Sequence, residues 1–370
     1  METSNRRHDI DWIRVIAIGL LLVYHIAIGF QPWGIMIGFI TLEESWESLW
    51  VPMTMLNIWR IPLLFTVSGM GVYFAMHNRS WKQLIQERSR RILLPYLFGY
   101  FFIVPLHVYL WQDHYGFDTA YSVHTGHLWF LGNIFLYVLI LLPLFFYLKG
   151  NEDGPLAKGI KRMMRTPLGH LPVLAAFMAE AWILDPRPFE MYAMTWHGFF
   201  LGLLAFFFGF CYVLAGRSFW DMVLKWRWMF LVLAVVFYVF RLVHFQSFAP
   251  NLLLAIESHC WILSVLAFGH KYLNRPGRTL SYLSRAAYPV YIVHMVVLYL
   301  GATIIFPLHI SIPLKFVLLL AFTLVGCFAL YELVIRRVNV IRPLFGLKGK
   351  GPLNNVATQW NESDNTLKQR

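Results

Sequence analysis

Cysteine is scarce in this chain of 370 residues: Cys211, Cys260 and Cys327 are all it has, each inside an apolar run. No disulfide framework and no cysteine-based zinc site is readable from them. Charge is also scarce. Asp, Glu, Lys and Arg make up 14% of the residues, against about 25% in a typical soluble domain. That shortage excludes disordered, collagen-like and coiled-coil chains and argues against an ordinary cytosolic enzyme. Several motifs are missing as well: no Walker sequence, no dinucleotide fingerprint and no H-E-x-x-H occur, and Ser68 lacks a G-x-S-x-G setting. What is abundant is apolar and aromatic, with 58% hydrophobic residues, 32 Phe and 15 Trp. Aromatic side chains favour bilayer interfaces and the walls of carbohydrate- or acyl-binding cavities.

A membrane helix needs about 20 mostly apolar residues. Ten segments approach or meet this: 13–30, 56–76, 92–111, 128–148, 171–184, 196–216, 228–244, 251–270, 284–306 and 312–334. The fifth is short and contains Glu180. The distribution of cations tests the count. With the amino terminus placed inside and the segments alternating, only Arg60, Arg187, Arg241 and Lys315 of the 31 Lys and Arg fall outside. Cytoplasmic loops carry such an excess of Lys and Arg. This predicts an all-α, polytopic membrane protein of about ten transmembrane helices with both termini cytoplasmic. Residues 1–12 would form a cytoplasmic segment, 13–336 the membrane domain and 337–370 a polar cytoplasmic tail. The first run follows Arg6-Arg7 but lacks a small-residue cleavage site, and it reads as a retained helix. The net charge of +12 lies between apolar runs, so the expected partner is the bilayer and not nucleic acid.

Ionisable residues inside spans are costly and usually face a cavity. His25, Arg60, His127, Glu180, His197, Arg241, His244, Glu257 and His259 lie toward the outer side, and His294 near mid-membrane. They read as the lining of a polar chamber. Asp11, Arg14, Glu332 and Arg88-Ser89-Arg90-Arg91 lie on the inner side, where they suit an anionic ligand such as a nucleotide phosphate or, alternatively, simply anchor the topology. Arg14 and His25 are eleven residues apart in one helix, so they share a face and stand about 16 Å apart along its axis. A buried histidine in a helix is commonly a packing residue, and spacing alone leaves both readings of His25 open. His107, His114, His124 and His127 surround an outer loop without tight metal spacing, and no metal site is predicted. Gly69 and Gly71 are expected to permit close helix packing.

Several blocks of the sequence resemble the membrane acyltransferase 3 family. They are Asp11-Trp12-Ile13-Arg14 with His25 after ten intervening residues, Pro62 to Gly69, Arg88-Ser89-Arg90-Arg91 with Pro95, and His127-Leu128-Trp129-Phe130-Leu131. The resemblance continues through Glu257-Ser258, Phe268-Gly269-His270, Tyr291-Ile292-Val293-His294 and Tyr331-Glu332-Leu333. It implies an O-acyltransferase with no bound cofactor, a cytoplasmic acyl-CoA-type donor as co-substrate, and an acceptor hydroxyl on an extracytoplasmic carbohydrate or glucan. It implies the inner (cytoplasmic) membrane as location. The family's essential Arg and His carry over to Arg14 and His25, and its Arg-x-x-Arg motif to Arg88 and Arg91. His25 is then the expected catalytic base and Arg14, Arg88 and Arg91 the donor site. Arg60, His127, Trp129, Glu257 and His294 are expected to bind the acceptor or support the site. One departure from the glucan-modifying branch is Met295, which follows His294 where a second histidine is expected. The alternative is a proton-coupled transporter or exporter using His25, His294 and Glu257, for which paired broken helices are expected; Pro143 and Pro289 do not form an obvious pair.

Overall fold

The computed structural model describes residues 7–77, 79–245 and 249–349. Among these the chain is helical and contains no strand. The main helices are α1 (His8–Ile28), α2 (Trp50–Ala75), α3 (Trp81–His114), α4 (Trp129–Gly150), α5 (Pro155–Met163) and α6 (Leu171–Leu184). They continue with α7 (Trp196–Ala215), α8 (Arg217–His244), α9 (Asn251–Tyr272), α10 (Arg278–Ile305) and α11 (Ile312–Leu330). Nine helical stretches among the described residues are long and apolar enough to cross a membrane, which makes this a multi-pass membrane protein. They coincide in order with nine of the expected segments. The fifth segment is the exception. Its helix α6 has 14 residues, about 21 Å of rise against a hydrocarbon core of about 30 Å. It still joins opposite ends of the bundle. His170, just before it, lies against Tyr212 and Phe219 where α7 gives way to α8; Tyr192, just after it and near the start of α7, donates to the Ile58 carbonyl of α2.

Local chemistry explains where the helices start and bend. α1 begins at His8, earlier than hydropathy indicates, because Asp9 is buried and neutralised: it accepts from Arg7 and lies 2.9 Å from His270 Nδ1. That contact ties α1 to α9. α3 is interrupted by two π turns, Ser89–Leu93 and Gly99–Ile103. Each is followed by a proline, Pro95 or Pro105, whose missing N–H breaks the α-helical ladder. Helix α2 sits at the centre and packs tightly on α7. A Cβ on Gly69 would stand 1.9 Å from the Phe206 carbonyl oxygen, and one on Gly209 2.0 Å from that of Thr66. Small residues thus set the backbone separation, as in other membrane helix pairs. Gly71 behaves differently from expectation: its nearest neighbour is an Arg14 nitrogen at 3.5 Å, so it makes room for cations instead of a helix.

The two ends of the described chain lie at the same end of the bundle. Residues 342–347 fold back there, with Phe345 buried against Phe98. Of the expected terminal segments, residues 1–6 and 350–370 lie outside the described residues.

Candidate active site

A cavity of about 3060 Å³ runs through the bundle. At one end its wall is basic, with Arg7, Arg14, Arg88, Arg91, Arg285 and Arg342. At the other it is aromatic and mixed in charge, with Trp33, Trp50, Trp111 and the segment 185–194. Between them lie His25, Arg60, His107, His127 and Trp129. Arg14 and His25 both face this space, as their eleven-residue spacing on α1 requires.

Arg14, Arg88 and Arg91 line the same cavity. Arg14 lies 3.4 Å from Asp11. Arg88 donates to the Gly71 carbonyl at 3.3 Å and lies 3.3 Å from Glu87. Arg91 reaches Glu87 at 3.1 Å and is 48% exposed. Arg90 points away from the cavity and is exposed. One carboxylate therefore serves both arginines of the Arg-x-x-Arg motif, leaving donors on each for an anion.

At the centre, His25 Nδ1 and His294 Nε2 are 2.8 Å apart, with the rings stacked at 7°. His294 Nδ1 stands 2.6 Å from the Tyr291 carbonyl oxygen, one turn back on α10. That carbonyl accepts and never donates, so His294 Nδ1 carries its proton. In a neutral imidazole the other nitrogen, Nε2, is then an acceptor, and His25 Nδ1 must be the donor to it. The chain of two bonds thereby leaves His25 Nε2 unprotonated. His294 is fully buried, whereas His25 is partly exposed on the cavity wall. This is the arrangement of a base oriented by a second group.

The remaining residues sort clearly. His127 Nε2 donates to the Ile292 carbonyl at 3.0 Å, so its Nδ1 is the acceptor nitrogen, buried without a partner. Its ring is 5.0 Å from His294 and 5.5 Å from His107. Trp129 lies on the wall with an edge on Phe65. Glu257 does not reach the cavity. It is fully buried and accepts from Arg241 Nε at 2.8 Å and Nη2 at 3.1 Å; its carboxylate is committed, and Arg241 is the member of the pair on the wall. Glu257 and His259 diverge, His259 turning toward His170 and Phe177. Glu180 Oε1 lies 2.8 Å from His197 Nδ1, both buried, so its carboxyl is committed to that contact. Ser68 donates to the Leu64 carbonyl at 2.7 Å with no base beside it.

Sequence reasoning did not find the segment 185–194 as cavity wall. Its clustered prolines and aromatic residues could have marked a packed loop. There, burial pushes the Glu190 carboxyl above the usual carboxylate range and the His124 imidazole, in the facing loop, below its ordinary value. It also missed the Tyr291 carbonyl, because only the position of the His294 ring reveals that contact. Among the described residues no group of three or more side chains is placed to hold a metal ion.

A helical bundle of apolar spans around a histidine-lined cavity is the architecture of a multi-pass membrane protein. Residues 7–332 match the acyltransferase domain of the membrane acyltransferase 3 family, and the chain belongs to that family. It is a membrane acyltransferase. No curated protein and no solved structure shows significant similarity to it.

Proposed function

We propose that this acyltransferase takes an acyl group of the acetyl or succinyl class from a cytoplasmic acyl-CoA-type donor and delivers it to a carbohydrate hydroxyl on the far side of the inner membrane. The observation that carries this reading is the cavity itself, which places Arg14, Arg88 and Arg91 at one end and aromatic side chains at the other, with His25 between. Within the family the sequence blocks most resemble glucan biosynthesis protein C, a succinyltransferase of periplasmic glucans, which favours a glucan as acceptor.

In this reading the donor's phosphates rest on the three arginines, whose planar guanidinium groups suit bidentate phosphate contacts. The pantetheine arm runs up the α1 face toward His25, about 16 Å away along the axis. The acceptor enters from the opposite end, with Trp129 against a sugar face and His127 within reach of its hydroxyls. His25 Nε2 takes the acceptor hydroxyl proton as the oxygen attacks the thioester carbon. The carbon–sulfur bond then breaks, and the same proton passes from His25 to the departing thiolate. General-base catalysis of this kind contributes roughly 10²–10⁴-fold.

The test uses proteoliposomes of the full chain, [¹⁴C]acetyl-CoA or [¹⁴C]succinyl-CoA, and carbohydrate extracted from cells lacking the protein. Label should enter the carbohydrate with the wild type and not with His25→Gln. Label transfer near wild type in a properly inserted His25→Gln protein would return His25 to a packing role; no transfer by the wild type would remove the donor and acceptor assignment.

A further inference from the structure

Among the described residues, three buried carboxylates lie against basic side chains. Asp9 has Arg7 and His270, Glu180 has His197, and Glu257 has Arg241. Arg60 is different. It is 1% exposed, in the middle of α2, on the cavity wall. Among the described residues it makes no ion pair, and its Nε and Nη1 are buried without a hydrogen-bond partner. It is held by the ring of Tyr24, with Cζ 3.9 Å from the centroid. Tyr24 adjoins His25 in sequence, and the two rings are 5.9 Å apart. A guanidinium remains charged in a protein, and an unpaired charge inside a membrane works against insertion. Stability alone gives no reason for a cation with unused donors in this place.

We propose that Arg60 is a catalytic residue that receives the negative charge forming on the acyl carbonyl oxygen. The inference rests on the acyl-transfer reading above. As the acceptor oxygen bonds to the thioester carbon, its proton goes to His25 Nε2, and the carbonyl π pair moves onto oxygen. The unused N–H groups of Arg60 bind that oxyanion. When the pair returns to re-form the carbonyl, the carbon–sulfur bond breaks and the thiolate takes the proton from His25. A donor fixed in a dry site before the charge appears needs no reorganisation as the charge develops, which is why such groups contribute strongly to catalysis. The aromatic face of Tyr24 holds the guanidinium without neutralising it.

The experiment compares wild type, Arg60→Gln, Arg60→Lys and His25→Gln in proteoliposomes, with the same labelled donors and extracted carbohydrate. It measures kcat, KM for donor and acceptor, and thermal unfolding. Arg60→Gln should lose about 10²–10³-fold in kcat, with both KM values within about threefold. Its unfolding temperature should equal or exceed that of the wild type, since an unpaired buried charge has been removed. Arg60→Lys should fall between the two. Three results would overturn the assignment: kcat within threefold of wild type, a loss residing in KM, or failure of both variants to insert, which would make Arg60 structural. A wild type that transfers label, an inactive His25→Gln and an active Arg60→Gln would sink this inference alone. A wild type that transfers no label would overturn the functional reading and this inference with it.

Discussion

The hydrogen-bond direction through His294 makes a quantitative prediction. Replacing His294 by Leu removes the acceptor of the His25 Nδ1 proton and fills the space so that water does not replace it. An unpaired buried N–H costs roughly 1–3 kcal/mol. His25 escapes that cost by shifting its proton to Nε2, which removes the free base from the cavity. Holding the productive tautomer then costs the same amount, so turnover should fall about 5- to 150-fold. His294→Gln is the informative companion. Its amide has an N–H for the Tyr291 carbonyl and an oxygen for His25 Nδ1, so it should recover much of the loss. His294→Ala should be impaired less than His25→Ala, which removes the base outright. The assay is single-turnover transfer of labelled acyl group in proteoliposomes, with donor affinity measured separately and expected to stay constant. Turnover within twofold of wild type in His294→Leu, or no difference between His294→Leu and His294→Gln, would refute the tautomer relay.

Reporter fusions after His77, Trp111, Gly150 and Arg187 should read inside, outside, inside, outside; an outside signal after Gly150 would defeat the topology, and an inside signal after Arg187 would show that α6 does not cross. Changing Arg88 and Arg91 together to Lys keeps the charge but removes the planar fork, and donor affinity measured by equilibrium binding should fall about tenfold or more, given about 1.5–3 kcal/mol for a charge-assisted hydrogen bond. Glu257→Gln leaves Arg241 buried and uncompensated and should destabilise the fold by about 3–5 kcal/mol in chemical unfolding, with donor affinity retained in the folded fraction. Gly69→Ala forces a Cβ onto the Phe206 carbonyl; it should lower thermal stability far more than Gly150→Ala, where nothing lies within 4 Å.

The crossings were legible in the sequence because lipid imposes one rule, apolar length bounded by basic loops, and that rule acts on each segment alone. α6 tests its limit: 14 residues are too few on length, yet the alternation of cations required a crossing there. The pairing of Arg14 with His25 was legible for the same reason, since both sit on one helix of regular pitch. What could not be read was any relation between helices. His294 and Glu257 looked alike as ionisable residues in apolar runs. One turns out to orient His25, and the other is locked to Arg241, because partners on other elements decide the role. The two π turns of α3 were hidden too. Pro95 and Pro105 mark them, but proline equally ends or kinks a helix.

The cavity reaches both ends of the bundle, and this has an electrical consequence. Solvent entering the cavity from either end would carry bulk potential inward, so the voltage across the membrane would fall over the stretch between the ends, where Arg60 and the histidines line the wall. Low-dielectric walls focus the field there, and an elementary charge carried through the whole drop gains or loses about 2.3 kcal/mol per 100 mV. A fixed cation at that level repels protons and metal ions, as an arginine does in some membrane pores. On the proposed reading, a cavity entered by substrates from both ends would thereby resist leakage of the ions whose gradient the cell stores.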